Sequence, residues 1–330
     1  MLKIIIEIEW GILMSSNSTN ITISVLMTTY NGELYIQEQL DSILNQSYRN
    51  FEIFIADDNS NDNTYTILKE YQRTYPFIHL KQNNKQLGFV KNFEQLLENC
   101  TSKYIAFCDQ DDVWHKDKLN ISIQALETKN NSIPLLFHSD LYVTDYQLEI
   151  IYNSFFKMRH YHFTSHKQLD AILGRCGVMG NTIVINQKLK SLLLPFPNHL
   201  ANHDYWMALI AELFGQRVSS LKPLVYYRIH QSNSSNSVIT LNKKRKLSTI
   251  IQKKYRLPFQ EISREEVLRE LLRRYPIQNQ DKRVILYFLH YLNNELKISS
   301  LFSFIFHHNF FKQNYIYKVK IFLAILWKQV

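Results

Sequence analysis

Three carboxylates in four residues, Asp109-Gln110-Asp111-Asp112, follow a short apolar run, Tyr104-Ile105-Ala106-Phe107-Cys108. The run reads as a buried strand, which puts the acids at its carboxyl end, on the rim of a sheet. Carboxylate oxygens are hard ligands, suited to holding Mg²⁺ or Mn²⁺ against phosphate oxygens. Like charges this close raise their own electrostatic energy unless a cation or strong donors compensate. An acidic turn capping the helix that starts near Lys116 needs the same residue types, so the tetrad alone leaves both readings open. A further acid stands in His203-Asp204-Tyr205-Trp206, which opens an amphipathic pattern carrying Ala208, Leu209, Ile210, Leu213 and Phe214. In the first turn of a helix Asp204 is favoured in its ionised form. That form can take a proton from a hydroxyl.

The preceding hundred residues contain the elements that must position these groups. Ile21 to Met27 is β-branched and apolar, and it runs into Thr28-Thr29-Tyr30-Asn31-Gly32-Glu33. A helical pattern follows, with Leu34, Leu40, Ile43 and Leu44 on one face. Phe51 to Ala56 reads as a second strand ending in Asp57-Asp58-Asn59-Ser60, and Asp62 is placed to cap a helix carrying Tyr65, Ile67 and Leu68. Phe77 to Leu80 reads as a third strand, and Phe93, Leu96 and Leu97 mark a third helix before the Tyr104 strand. Such alternation predicts an α/β fold, a mostly parallel sheet flanked by helices, with the polar loops gathered at one sheet edge. No Gly-x-Gly-x-x-Gly and no Gly-Lys-Ser/Thr follows the first strand. Two common phosphate cradles are missing, and a metal must carry more of the phosphate neutralisation. That favours nucleotide-sugar chemistry over dinucleotide redox chemistry.

Taken in order, Thr28-Thr29-Tyr30-Asn31-Gly32, Asp57 to Thr64, and Asp109-Gln110-Asp111-Asp112 resemble the successive signatures of family 2 glycosyltransferases. The resemblance spans roughly residues 21–232 and implies the GT-A fold, Rossmann-like, for nucleotide-diphospho-sugar transfer. Asp112-Val113-Trp114 and His203 to Trp206 look most like its bacterial rhamnosyltransferase-like branch. The resemblance implies roles residue by residue. Thr28 stands where many relatives have proline, at a largely backbone donor contact. Tyr30 and Glu33 match positions bordering base and ribose, and Asp57 matches the carboxylate that accepts from a pyrimidine N–H. Lys91 matches a basic base-contacting position. Asp109 would bond the ribose or a metal-bound water, and Asp111 would be the direct ligand of Mg²⁺ or Mn²⁺. Asp204 matches the catalytic base. Gly180 and Asn181 match a loop bordering the acceptor, and Trp206 would wall the acceptor sugar. Arg228 or His230 would steady the diphosphate, with His230 reaching the metal.

Length and composition fit an enzyme of this kind. At 330 residues with 45% hydrophobic content, the chain can bury one large core plus an accessory segment. Cys100, Cys108 and Cys176 show neither metal spacing nor a disulfide framework. Residues 1–20 make a poor signal peptide, because Glu7 and Glu9 interrupt the apolar stretch, and Met14 is an alternative start. The expected division is a leader (1–20), a catalytic domain (21–240) and a basic helical region (241–330). The last holds 18 Lys/Arg against 6 Asp/Glu, a net of +12, whereas the remainder nets −3. Lys243-Lys244-Arg245-Lys246 opens it, and helical patterns follow at Val284 to Leu289 and Val319 to Trp327. Basic helices with apolar faces suit an anionic membrane surface, and no nucleic-acid motif is recognisable.

The expectation is an inverting transferase, peripheral on the cytoplasmic face of a bacterial plasma membrane. It would move a sugar, dTDP-L-rhamnose being the first donor, to a hydroxyl of a lipid-linked or growing surface polysaccharide. A UDP-hexose donor, a sugar nucleotidyltransferase and an inactive nucleotide-sugar-binding module are the alternatives.

Overall fold

The computed structural model describes residues 22–230 and 262–322, apart from 294, 312–314, 316, 317 and 320. The leader, the Lys243–Lys246 run and most of the Val319–Trp327 pattern lie outside the described residues. The first part alternates as expected: β1 (Ile23–Thr29), α1 (Ile36–Leu44), β2 (Phe51–Asp57), α2 (Thr64–Thr74), β3 (Ile78–Gln82), α3 (Phe89–Glu98) and β4 (Tyr104–Cys108). Every residue of β1 and β4 is buried, as befits strands covered on both faces. Asn63 is the N-cap of α2, and Asp62, one residue before it, accepts the Thr64 N–H through Oδ1 at 3.0 Å. Leu34 does not join the apolar face of α1. It sits in the turn before that helix and is 78% exposed.

Then come β5 (Val113–Trp114), α4 (Lys118–Glu127), β6 (Leu135–Thr144), β7 (Ile150–Tyr152), α5 (Phe155–Arg159) and α6 (Leu169–Arg175). A 3₁₀ turn at Gly180–Thr182 leads into β8 (Val184–Asn186), α7 (Gln187–Leu193), α8 (His203–Phe214) and β9 (Gln216–Arg228). The described C-terminal helices are α9 (Ile262–Arg274), α10 (Asn279–Leu292) and α11 (Ile298–Phe306). The sheet order is β3-β2-β1-β4-β8-β6-β9-β5, with β7 paired to β6. The long ladders, β1 with β2 and β4, β2 with β3, and β6 with β9, are parallel. The antiparallel joints are short, such as three residue pairs between β4 and β8.

Alternation along β1 and β4 separates two apolar faces. Ile23, Val25, Met27, Tyr104, Ala106 and Cys108 face α1, α2 and α4 through Ile36, Leu40, Leu68, Leu119 and Ile123. Leu26, Ile105 and Phe107 face the other way, toward α3, α6, α7 and α8. The same apolar cluster takes in Val267, Leu268 and Leu271 of α9 and Ile285 and Phe288 of α10. The C-terminal helices thus complete the core on that face of the sheet.

Candidate active site

Register decides which side chains meet. Thr29 pairs with Asp57 and Met27 with Cys108, so β1, β2 and β4 end at one sheet edge and Asp109 falls level with Thr28. The loops there are cross-tied. Gln110 accepts the Tyr30 N–H at 2.8 Å and donates to the Tyr30 carbonyl at 3.0 Å. Its amide fills the space a Cβ at Gly32 would need. Asn31 and Asn59 sit at φ 48° and 63°, the left-handed region that asparagine tolerates better than most residues. Asp57 is fully buried and accepts from Thr29 Oγ1 (3.0 Å), Ser60 N (3.1 Å), Ser60 Oγ (2.6 Å) and Gln82 Nε2 (3.2 Å). A carboxylate has about four accepting sites, and all four are in use. A pyrimidine N–H reaching Asp57 must displace one of these donors. Glu33 accepts from the Asn63 N–H (2.9 Å) and Nδ2 (2.8 Å), which ties the first loop to the second.

The acid tetrad divides its work. β5 pairs antiparallel with β9, Val113 opposite Tyr226, and continuing that register brings Asp111 and Asp112 beside Arg228. Asp112, fully buried, accepts from the Arg228 N–H at 3.1 Å and from Asn181 Nδ2. Burial, followed by Asp111 and Asp109, pushes its carboxyl well above the usual range. Asp111 keeps its carboxylate at the surface of the site, 2.9 Å from His230 Nε2. Arg228 donates from Nε to the Asp111 carbonyl (3.0 Å), from Nη1 to the Tyr146 carbonyl (2.6 Å) and from Nη2 to Glu38. Two residues apart on extended chain, Arg228 and His230 share a side. Both lie on Tyr35, 4.6 Å and 4.7 Å from its centroid. Arg228 is spent on bracing this loop from inside the protein, only 3% exposed.

Burial, then Asp111 and Asp204, raise the pKa of Asp109 to about 7. Asp204 is therefore near enough to Asp109 for the two charges to act on each other. The Tyr205 N–H donates to Asp204 Oδ1 at 2.6 Å. Burial pushes the Asp204 carboxyl up to about 6, against the Tyr205 N–H, Arg264 and the Gly180 N–H. Gly180 earns its place sterically, because a Cβ there would lie 2.8 Å from His203 Nε2. His203 packs on Phe93 and Phe107, centroids 4.4 and 5.6 Å away, and burial lowers its pKa to about 3. Neither ring nitrogen of His203 has a hydrogen-bond partner among the described residues, nor does the buried Asn181 Oδ1.

Thr28, Tyr30, Asp57, Asp109, Asp111, Asp204, His230 and Gly180 thus share one rim, whereas three expected contacts fall elsewhere. Trp206 is wholly buried and donates from Nε1 to the Leu193 carbonyl at 3.0 Å, so it walls no open site. Helix α8 is apolar almost all round and is covered on every side. Asn181 is 1% exposed and turned to Asp112. Lys91 pairs with Glu94 and lines a separate cleft with Pro195, Phe196 and Arg274.

The sequence reading missed Tyr35, Glu38, Gln110 and Lys118. Lys118 is fully buried with Nζ 3.4 Å from the Trp114 ring centroid and no hydrogen-bond partner among the described residues. Burial lowers its pKa to about 7, while Cys108, Asp112 and Asp109 act to keep it charged. Trp114 ends a strand and Lys118 opens the next helix, so no local spacing in the sequence reports their contact.

A sheet edge of acids close to a carboxylate at a helix N-terminus is the layout of a nucleotide-sugar transferase, and the comparisons agree. Residues 24–183 match the family described as Glycosyl transferase family 2. The chain is 32% identical over 247 residues to the dTDP-rhamnosyl transferase RfbG of Shigella flexneri, covering 69% of this chain and 80% of that protein. The chain belongs to glycosyltransferase family 2, enzymes that use nucleotide-sugar donors. It is also 27% identical to an Escherichia coli UDP-Glc:α-D-GlcNAc-diphosphoundecaprenol β-1,3-glucosyltransferase, WfgD, over 65% of this chain and 80% of that one. In fold it resembles S. aureus TarS 1-349 in complex with UDP-GlcNAc, with TM-score 0.57, 16% identity and coverage of 93% and 80%. A Pyrobaculum calidifontis mannosyltransferase in complex with GDP-Man and Mn²⁺ matches at TM-score 0.54 and 14% identity, covering 98% and 81%. The GT-A fold is therefore shown.

Proposed function

We propose that the chain is an inverting transferase that moves L-rhamnose from dTDP-L-rhamnose to a hydroxyl of a lipid-linked or growing bacterial surface glycan. The observation that carries the reaction type is Asp204, a carboxylate with a raised pKa close to Asp109 at a helix N-terminus. A hydroxyl is a poor nucleophile until its proton leaves, and Asp204 takes that proton as the new bond forms. Attack from the Asp204 side, opposite a diphosphate held at the tetrad, inverts the anomeric centre. The rhamnosyl relative supports the donor. UDP-glucose is the second reading, favoured by the relative named for that donor.

Mg²⁺ or Mn²⁺ fits the residues present. No group of three or more His, Cys, Asp or Glu side chains suited to a metal occurs among the described residues. Asp111 and His230 do stand together at the rim. A divalent ion bound through one or two protein groups plus substrate phosphates is the usual arrangement for Mg²⁺. Asp111 would hold it, with His230 beside it and Asp109 bonding ribose or bound water. When bound, the ion neutralises charge developing on the leaving diphosphate. Arg228, Glu38 and Tyr35 hold the Asp111 loop in place, and Tyr30 and Thr28 border the nucleoside. The net +12 of residues 241–330 supports a working position on the anionic cytoplasmic leaflet, where a lipid-linked acceptor would be reached. No helix among the described residues is long and apolar enough to cross a membrane.

The test is turnover of dTDP-L-rhamnose and UDP-glucose with a GlcNAc-diphospho-lipid acceptor, for wild type and Asp204→Asn. Asp204→Asn should keep donor affinity within a few-fold while turnover falls by on the order of 10²–10⁴. Equal losses in affinity and rate would move Asp204 out of the base role, and full activity after chelation would remove the metal.

A further inference from the structure

The base is braced from outside the part of the chain that matches the family. Arg264 lies in the first turn of α9, beyond residues 24–183. Its Nη1 donates to the carbonyls of Leu173 (2.8 Å) and Gly174 (2.9 Å), among the orphan acceptors at the end of α6. The same guanidinium lies on the Tyr205 ring, 4.6 Å from its centroid. Tyr205 Oη donates to the Leu173 carbonyl at 3.2 Å, so ring, guanidinium and carbonyl close a small bracket. Tyr205 follows Asp204 directly, and its N–H donates to that carboxylate. Helix α6 is gripped a second time by the C-terminal segment, Asp170 accepting the Asn309 N–H at 2.9 Å.

We propose that Arg264 is a positioning residue for the Asp204 base, so that the C-terminal helices complete the active site. The inference rests on the base role given to Asp204. Around Asp204 stand the Gly180 N–H, the Asp109 carboxylate and the Cys176 thiol, with Arg264 supplying positive charge from α9. The bracket fixes Tyr205, hence the first turn of α8, and the cation favours the ionised form that accepts the proton. A misplacement of about 1 Å at a reacting group lowers rates by about 10²-fold.

Arg264→Gln keeps a donor for the carbonyls and removes the charge, and Arg264→Lys keeps the charge. With the full chain and the GlcNAc-diphospho-lipid acceptor, Arg264→Gln should lose about 10- to 100-fold in kcat. Its donor KM and its melting should stay near wild type. Arg264→Lys should recover most of the rate. In an Asp204→Asn background the Gln substitution should cause no further loss, because the two residues act as one unit. A native kcat in Arg264→Gln overturns the proposal, as does a full additional loss in the double variant. If Arg264→Gln does not fold, Tyr205→Phe replaces it, since it removes the bond to Leu173 and leaves the ring. Reduced kcat at native donor affinity then supports the bracket, and native kcat overturns it. Turnover surviving Asp204→Asn is a separate result, which refutes the base itself.

Discussion

In the base role proposed for it, Asp204 must be ionised in a place that resists charge. Its pKa of about 6 sets a sign that kinetics can read. A proton acceptor is active only when deprotonated, so kcat/KM should rise with pH through an apparent pKa near 6. An unperturbed carboxylate would put that limb near about 4. The limb should vanish in Asp204→Asn, and one centred below about 4.5 in wild type would contradict the environment described. His203 cannot supply this limb, because burial holds its pKa at about 3 and keeps it neutral throughout. The same shift has a stability consequence of opposite sense. A carboxyl whose folded pKa is raised binds its proton more tightly folded than unfolded, so above pH 6 its ionisation weakens the fold. Asp204→Asn should therefore melt higher than wild type at pH 7.5 and lose that advantage below about pH 4. An inactive variant with a raised melting temperature is the signature of a residue retained for chemistry.

At the scale of elements, the site is an outcome of where strands stop. β1 and β4 are visible in the sequence because strands buried on both faces are continuous apolar runs, and β2 shows through the alternation of Phe51, Ile53 and Ile55 with Glu52 and Phe54. Local rules for strand ends and helix N-termini put Asp109, Asp111 and Asp204 at the ends of elements, and the roles given to them come from the family resemblance. The partners that hold them come from pairings distant in sequence. Arg228 reaches Glu38 across 190 positions and the Asp111 carbonyl across 117, and no local pattern in either segment reports that. β5 has two residues, too few to show a period. Trp206 was misread for a related reason. Its neighbour Asp204 faces the site, but α8 is packed on every side, and the side chain one helical turn-half away meets the core. The short turn at Gly180–Thr182 is the joint between these elements and gives a sharp test. Gly180→Ala puts a Cβ 2.8 Å from His203 Nε2, and the start of α8 must shift to relieve it. The expected result is a kcat lower by roughly 10- to 100-fold, the scale of such misplacement, with nucleotide affinity unchanged. Nucleotide affinity falling in parallel would mean that the turn supports the donor loops instead.

At the scale of the whole molecule, the division at residue 240 has to be weighed against the core. Val267, Leu268, Leu271, Ile285 and Phe288 are buried in the cluster that contains Phe93, Phe107 and Trp206. Polar ties run alongside, with Tyr275 Oη donating to the Leu192 carbonyl, Arg274 to the Pro195 carbonyl and Lys167 to Asp281. Burying a large apolar side chain contributes about 1.5–3 kcal/mol, so five of them amount to roughly 8–15 kcal/mol, an upper estimate because the unfolded chain already buries some of that surface. A whole domain is stable by about 5–15 kcal/mol. Two alterations to residues 241–330 should consequently behave in opposite ways. Ending the chain after residue 240 should expose Trp206 and its surroundings and yield aggregated or unfolded protein. Replacing Lys243, Lys244, Arg245 and Lys246 with Gln should leave melting and transfer to a soluble acceptor unchanged. It should reduce sedimentation with anionic vesicles, since each basic side chain near such a surface contributes about 1 kcal/mol. The remaining binding should be removed by less salt, because the attraction is screened beyond about 8 Å at physiological ionic strength. A truncated chain that folds and turns over donor would mean that α9 to α11 are accessory, and would remove Arg264 from the active site as well. Undiminished vesicle binding by the Gln variant would move the membrane contact away from this run and onto the helices themselves.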